Sequence, residues 1–320
     1  MWKTVLRRVL VMIPQLFILS ILIFILAKKM PGDPFTGLIT PQTSPAVLEE
    51  LRRKAGFYDP WHIQYIRWMG NAFKGNFGMS YTYKLPVSTL IGQRVNNTFI
   101  LSLFSMILTY MLAIPLGVLS GRYQNSLLDR GVTLYNYVSY TIPTFVLSLI
   151  MVWFFGYTLG WFPTTGSVTI GLTPGTFKYF IDRIHHILLP AITYAILNTT
   201  GTIQYLRNEI IDAKSLDYVK TARSKGVPMR KVYTKHIFRN SLLPIAAFFG
   251  FQISGLLGGS VIAETIFNYQ GMGKFFIESI LTRDYSVVTT LILLYGLLFL
   301  LGSLLSDITM AIVDPRIRIE

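Results

Sequence analysis

The run at residues 95–121, VNNTFILSLFSMILTYMLAIPLGVLSG, contains no Asp, Glu, Lys or Arg. A helix needs about 20 such residues to cross a hydrocarbon core about 30 Å thick. Similar runs lie at 9–27, 131–177, 240–263 and 285–306, and another at 184–206 is interrupted only by two histidines. Because Pro and Gly cluster towards residue 177, we expect the helix of that run to cover about 132–160. The pattern predicts an all-α integral membrane protein with about six transmembrane helices.

The overall composition fits a protein that is solvated by lipid. Of the 320 residues, 52% are hydrophobic and 14% are charged, whereas a soluble domain carries about 25% charged residues. The net charge of +14 comes from basic residues between the apolar runs, which indicates topology signals and lipid headgroup contacts rather than nucleic-acid binding. The chain contains no cysteine, which excludes disulfides, Cys-ligated zinc, iron–sulfur clusters and thiol nucleophiles.

The distribution of Lys and Arg predicts the orientation. The first apolar run is longer than the core of a signal peptide and ends at Lys28-Lys29, so we expect it to be retained as a helix. Six spans place both termini on one side. If that side is the cytoplasm, sixteen Lys and Arg lie inside and four lie in the two short outside loops, as the positive-inside rule requires. We therefore expect a multi-pass protein of the cell membrane.

The chain divides into three predicted parts: an N-terminal end with the first span at 1–30, an extracytoplasmic loop region at 31–97, and a five-helix core at 98–320. Within the loop region, Ser44-Pro45 and Asp59-Pro60 are typical helix starts, and Gly56 is a typical stop. Residues 86–97 indicate an amphipathic helix that leads into the second span. The loop region is either a lid on the membrane surface or a docking platform for an external partner.

Motifs that carry enzyme chemistry are absent from the sequence. It has no G-x-x-x-x-G-K-[ST], no H-E-x-x-H and no G-x-S-x-G. The helix centres hold only neutral polar groups, namely Asn198, Gln204 and Gln252, which either bond between helices or line a wet passage. An ion-coupled secondary transporter needs a charged or titrating group within a span, and Glu264, Asp307, His185 and His186 all lie near span ends. A membrane enzyme or assembly factor is the other alternative.

The segment 207–240 is rich in charges of both signs and lies between two spans. Residues 215–225 and 229–240 each indicate a short helix, separated by Gly226-Val227-Pro228. Gly226 suits a helix C-terminus with positive φ, and Pro228 suits the start of the next helix. The segment is either a basic surface loop at anionic headgroups or a short helix presented to a cytoplasmic partner.

Several motifs together resemble the permeases of ABC importers, most closely the B-type subunit of the oligopeptide/dipeptide/nickel family. They are DYVKTARSKG at 217–226, RNSLLP at 239–244, PGDP at 31–34, GNFGMS at 75–80, ETIF at 264–267 with GMG at 271–273, and DPRIR at 314–318. The general importer loop begins Glu-Ala-Ala, and here only Ala222 and Gly226 match it. The resemblance covers almost the whole chain and implies a type I ABC importer permease fold with cytoplasmic termini.

The resemblance also implies partners and a mechanism. A second, related permease subunit would complete the translocation path, two cytoplasmic ATPases would use ATP and Mg²⁺, and an extracytoplasmic binding protein would deliver substrate. The chain itself would bind no cofactor. The implied ATPase-coupling residues are Asp217, Tyr218, Thr221, Ala222, Lys225 and Gly226. Small residues at Ala222 and Gly226 would allow close contact with the ATPase.

Two further patterns leave alternatives open. Gly255 and Gly259 form a G-x-x-x-G, which favours close helix packing either within the chain or against the second permease. His185 and His186 suggest a metal, but neighbouring side chains on a helix point about 100° apart, which favours interfacial residues and no metal site. A peptide is thus the expected substrate class, with nickel as the alternative. The resemblance to oligopeptide permeases implies an oligopeptide, with a dipeptide as the alternative.

Overall fold

The computed structural model describes residues 2–29, 45–54 and 56–313. The motifs at 31–34 and 314–318, and Ser44, lie outside the described residues. Apart from one antiparallel bridge between Met79 and Pro86, the regular structure of these ranges is helical. The helices are α1 Trp2–Lys29, α2 Pro45–Lys54, α3 Trp61–Phe73, α4 Val87–Arg122, α5 Leu127–Thr141, α6 Thr144–Met151, α7 Phe177–Ala213, α8 Asp217–Ser224, α9 Met229–Lys231, α10 Phe238–Ser241, α11 Leu243–Gly258, α12 Val261–Ile266, α13 Met272–Leu281 and α14 Tyr285–Val313.

Five segments of the described ranges are long and apolar enough to cross a membrane: most of α1, then α4, α7, Phe248–Ile266 and α14. The bent pair α5–α6 makes a sixth crossing if it counts as one span. The predicted all-helical membrane fold is therefore confirmed. Both spans next to the loop region are longer than the apolar runs that predicted them. Helix α1 extends over Trp2–Lys29, and α4 already begins at Val87 and includes the predicted amphipathic helix.

The third apolar run is not the single helix over 132–160 that the sequence predicted. It forms α5 and α6, the latter continued by a π-helical stretch Val152–Thr158, and the two limbs meet at an angle of 101°. The bend lies at Ile142-Pro143, where Ile142 has extended φ and ψ of −77° and 120°. The proline ring disfavours helical backbone at the preceding residue, so Pro143 explains the break.

The pair α4 and α7 forms the centre of the fold. These helices have 36 and 37 residues, which is about 55 Å at 1.5 Å per residue and far more than the bilayer needs. Gly117 and Gly121 lie at their contact. A Cβ atom on Gly121 would be 2.9 Å from both the Arg207 carbonyl oxygen and the Ile210 Cβ. This G-x-x-x-G, which the sequence reasoning did not single out, brings the two backbones close together.

The other helices pack around this pair. Helix α11 lies against α14, and α14 in turn contacts α1. Helix α3 begins after Pro60, as predicted, and presents Tyr65 to α1. The Tyr65 ring meets Phe24 edge-on at 5.5 Å, and its hydroxyl lies 2.7 Å from the Ser20 hydroxyl. The first span and the loop region are thus attached to each other.

Candidate functional site

The segment that joins α7 to α11 carries α8, a helix of eight residues. Asp217 lies in its first turn, where a negative charge is favourable next to the helix dipole. At the other end, Gly226 has a φ of 73°. The Gly226 N–H donates to the Arg223 carbonyl at 2.9 Å, and the Val227 N–H donates to the Ala222 carbonyl at 3.2 Å. These two bonds are a Schellman motif, which needs a residue in the left-handed region; the predicted helix stop is confirmed.

One face of α8 is buried against the chain itself. Val219 is fully buried and Ala222 is 7% exposed. Both belong to a hydrophobic cluster with Leu206, Ile210, Ala213, Val232 and Ile237. The methyl group of Ala222 therefore faces the chain itself, and its expected contact with a partner stays a prediction. The small side chain instead lets α8 lie close to α7 and to the π-helical stretch Val232–Ile237.

The opposite face of α8 is exposed. It carries Asp217, Tyr218 and Thr221, and the two residues directly after the helix, Lys225 and Gly226, are exposed as well. These are the five other residues that the sequence singled out. Lys220 contributes a surface ion pair with Asp217 at 2.9 Å. The Thr221 hydroxyl donates to the Asp217 carbonyl within the helix at 2.8 Å. This exposed face is short and carries charges of both signs. The other side of α8, with Val219 and Ala222, is the buried apolar base that holds the helix in place.

A buried ion pair joins α5 to α7 directly before this segment. Asp129 is 2% exposed, and its two carboxylate oxygens accept from Arg207 Nε and Nη2 at 2.7 and 2.9 Å. The same carboxylate accepts from the Ser120 hydroxyl at 2.5 Å and from the Asn125 N–H at 2.8 Å. Bidentate Arg–carboxylate pairs are strong and geometrically specific. The sequence reasoning missed this pair.

Two further contacts attach the segment to the end of α4. The Lys214 ammonium donates to the carbonyls of Gly121 and Arg122, which belong to the unpaired carbonyls at that helix end. Burial lowers the pKa of Lys214. The Arg122 guanidinium lies over the Tyr233 ring, 4.9 Å from its centre. The base of α8 is thus held to α4, α5 and α7 together.

The two glycines of the predicted G-x-x-x-G at the end of α11 have different surroundings. A Cβ atom on Gly255 would meet nothing within 4 Å, and Gly259 ends α11 with a φ of 73°. A Cβ atom there would lie 2.5 Å from Glu264 Oε1. Gly259 therefore packs closely within the chain and Gly255 does not, so the two glycines do not form one packing surface here. Contact with a second permease stays a prediction.

Glu264 lies near a span end, as predicted, but it is completely buried. Its carboxylate accepts from the Thr98 hydroxyl at 2.9 Å and from the Lys274 N–H at 3.0 Å. It therefore joins α12 to α4 and to the first turn of α13. Because these bonds are made to neighbouring helices, they indicate that Glu264 stabilises the packing of the helices.

The two neighbouring histidines have separate partners. The His185 Nε2 lies 2.8 Å from the Trp161 carbonyl oxygen, while the His186 Nδ1 lies 3.3 Å from Asp182 Oδ2. Within the described ranges, three or more His, Cys, Asp or Glu side chains do not gather at any point that could hold a metal ion. The two imidazole rings thus contact different parts of the chain.

The apolar helices of the fold are those of a multi-pass membrane protein. Residues 113–319 match the family described as "Binding-protein-dependent transport system inner membrane component", and residues 1–104 match the corresponding N-terminal family. The chain belongs to this family of plasma-membrane transport components.

Relatives match over nearly the whole chain. The chain is 42% identical to the oligopeptide transport system permease protein AppB of Bacillus subtilis over 98% of both chains. It is 32% identical to the glutathione transport system permease protein GsiC of Escherichia coli over 99% of both. A solved structure of the MetNI methionine ABC transporter in inward-facing conformations has a TM-score of 0.53 at 17% identity, covering 70% of this chain and 96% of that one. This last likeness supports the ABC importer permease fold.

Proposed function

We propose that this chain is one of two related permease subunits of an ATP-driven importer that carries short peptides into the cell. The oligopeptide transport protein that it resembles is 42% identical over almost its full length, and the glutathione permease relative is named for another short peptide. Nickel or a dipeptide is the alternative substrate within the same family. The second permease subunit and an extracytoplasmic peptide-binding protein complete the system.

In this proposal α8 is the coupling element. The exposed face with Tyr218, Thr221 and Lys225 docks in a cleft on a cytoplasmic ATPase, which binds ATP and Mg²⁺. The observation that carries the proposal is that α8 combines a solvent-facing side with a base packed on α7. The same end of α7 is joined to α5 by the Asp129–Arg207 pair and to α4 by the Lys214 bonds. When the ATPases close, α8 moves with these helices, and the spans change between inward-open and outward-open states.

The charges in the spans favour this mechanism over ion coupling. Asp129 is neutralised by Arg207, and Glu264 is bonded to Thr98 and to a backbone N–H. An ion-coupled transporter needs such a group on its path, and here both are engaged between helices. The segment 207–240 and both termini then lie in the cytoplasm, in agreement with the Lys and Arg bias. The chain itself is not an enzyme, since ATP hydrolysis takes place on the partner ATPases.

The test compares two glycines with the same backbone and the same free space. Gly226 and Gly75 both have a φ of 73°, and a Cβ atom on either would meet nothing within 4 Å. Gly226→Leu and Gly75→Leu therefore carry the same left-handed strain, about 1–2 kcal/mol. Only the first places a bulky side chain on the proposed ATPase contact.

Cells that lack this chain are complemented with wild type, Gly226→Leu or Gly75→Leu, and uptake of a labelled oligopeptide, a labelled dipeptide and Ni²⁺ is measured. We expect oligopeptide uptake to be lost without the chain and with Gly226→Leu, at normal membrane levels, and to be restored by Gly75→Leu. Normal uptake with Gly226→Leu contradicts the coupling role. Loss of Ni²⁺ uptake alone contradicts the peptide assignment. Copurification of the ATPases with wild type checks the importer class itself.

A further inference from the structure

A groove lies between α7 and α11, with α4 at its base. It encloses about 470 Å³ and is lined by Asn198, Thr202 and Tyr205 of α7, Phe248 and Gln252 of α11, and Tyr110 of α4. This volume is in the range of ligand cavities, about 300–1,000 Å³. The groove therefore has room for part of an extended molecule.

Two amide side chains face this groove from the middle of apolar helices. The Asn198 amide donates to the Tyr194 carbonyl of its own helix at 2.7 Å, and within the described ranges it makes no bond to another helix. Gln252 lines the same groove from the facing helix. The expected bonds between helices through these residues are thus absent. Gln204 is exposed on α7 but does not line the groove.

The position of these amides argues against lipid as the normal neighbour of the groove, because the Asn198 side-chain oxygen and the Gln252 amide have no hydrogen bond within the described ranges. An unpaired polar group in hydrocarbon costs several kcal/mol, and polar groups within spans face the protein interior or water. Gly201 also lines the groove, and because glycine has no side chain, it does not fill the space in front of α7. A wet passage, which the sequence left as an alternative, fits this surface.

Aromatic rings form the apolar part of the wall. The Tyr205 and Phe248 rings meet edge-on at 6.2 Å across α7 and α11, and the Tyr110 ring lies 6.2 Å from Phe249. All the residues that line the groove are uncharged. Neutral amides match the donors and acceptors of a peptide main chain, and the rings offer surface to side chains of any kind.

We propose that this groove is the chain's wall of the translocation path, and that Asn198 and Gln252 hydrogen-bond the main-chain amides of a peptide in transit. The proposal rests on the proposed function as a peptide importer. An uncharged wall does not select for the charge of the peptide's side chains, and it offers no ligand set to a metal cation.

The absence of cysteine makes a direct test possible. Asn198→Cys and Gln252→Cys are introduced singly into the full transporter, reconstituted with its partner subunits, and treated with a charged, water-soluble thiol reagent. Met111→Cys is the matched control, since its side chain is 68% exposed on an apolar part of α4 next to Tyr110. Labelling of this chain is read by mass spectrometry, with and without excess oligopeptide and binding protein during ATP turnover.

We expect both groove cysteines to react at least about tenfold faster than Met111→Cys, because an apolar environment suppresses the reactive thiolate. Peptide should slow this labelling, and the modified groove variants should lose uptake while Met111→Cys keeps it. Peptide uptake without labelling of either groove cysteine overturns the path assignment. Labelling of the groove cysteines no faster than Met111→Cys, as expected if a subunit interface or lipid covers the groove, also overturns it. If wild type shows no peptide uptake, the proposed function itself fails.

Discussion

The buried pair Asp129–Arg207 allows a quantitative prediction. Asp129→Asn keeps the shape of the side chain but replaces one carboxylate oxygen with an amide group. At least one of the donors that now face this carboxylate, which are Arg207, the Ser120 hydroxyl and the Asn125 N–H, then lacks an acceptor. A buried donor without a partner costs about 1–3 kcal/mol.

The charge of Arg207 adds to this cost. Removing one member of a buried ion pair costs about 3–5 kcal/mol, but the Arg207 side chain is 23% exposed, so water solvates part of its charge. We therefore expect Asp129→Asn to lower the free energy of unfolding by about 2–3 kcal/mol. The matched control is Asp217→Asn. Its carboxylate pairs with Lys220 but is 95% exposed, so the change should cost less than about 0.5 kcal/mol.

The measurement is unfolding of the purified chain in mixed micelles by increasing SDS, for both variants, for Arg207→Gln, and for the double variant Asp129→Asn with Arg207→Gln. Direct contact predicts a coupling energy of about 1 kcal/mol or more in the double-mutant cycle. The reasoning is refuted if Asp129→Asn is no less stable than Asp217→Asn, or if the two single effects add. Peptide uptake should fall together with stability, because the pair holds α5 to the helix that carries α8.

Three further changes test other contacts. Gly121→Ala should lower the free energy of unfolding by about 1–3 kcal/mol through overpacking against α7, whereas Gly255→Ala, with open space around it, should be neutral in the same SDS titration. Glu264→Ala should cost about 2 kcal/mol because the Lys274 N–H that it accepts from is left without a partner, which thermal unfolding of the purified transporter would show against Glu278→Ala as control. Lys214→Met should reduce peptide uptake at normal membrane levels, because it removes the bonds to the Gly121 and Arg122 carbonyls at the end of α4. An unchanged uptake rate would show that these bonds are not needed for coupling.

The sequence was sufficient for five of the six apolar spans, for the start of α3 after Asp59-Pro60, and for the end of α8 at Gly226. These features depend on local patterns: runs without charge, proline before a helix and glycine after one. The same rule that proline disfavours helix at the residue before it could have located the bend at Ile142. The prediction of one continuous helix instead followed the length of the uncharged run that contains Pro143.

Contacts between distant residues could not be predicted in this way. Asp129 and Arg207 are 78 residues apart. Arg207 by itself indicates only a topology signal at a span end, and Asp129 carries no local pattern that points to a partner. Likewise, Ala222 belongs to a motif that suggested a partner contact, yet it faces inward, because the face that α8 buries depends on where α7 ends. Glu264 and Asp129 show that acidic residues near span ends can be fully buried.

The bend at Pro143 has a consequence for the synthesis of the protein. The limb α5 has 15 residues, about 22 Å at 1.5 Å per residue, and so it is too short to cross about 30 Å of hydrocarbon. The second limb, Thr144–Thr158, has the same length. Its helix α6 contacts α7 and α12, which the ribosome synthesises later. We therefore expect this segment to leave the translocon without a stable position and to settle in the bilayer only after the helices that receive it have emerged. A truncation that ends before Phe177 should leave residues 127–158 accessible to protease, whereas the full chain protects them.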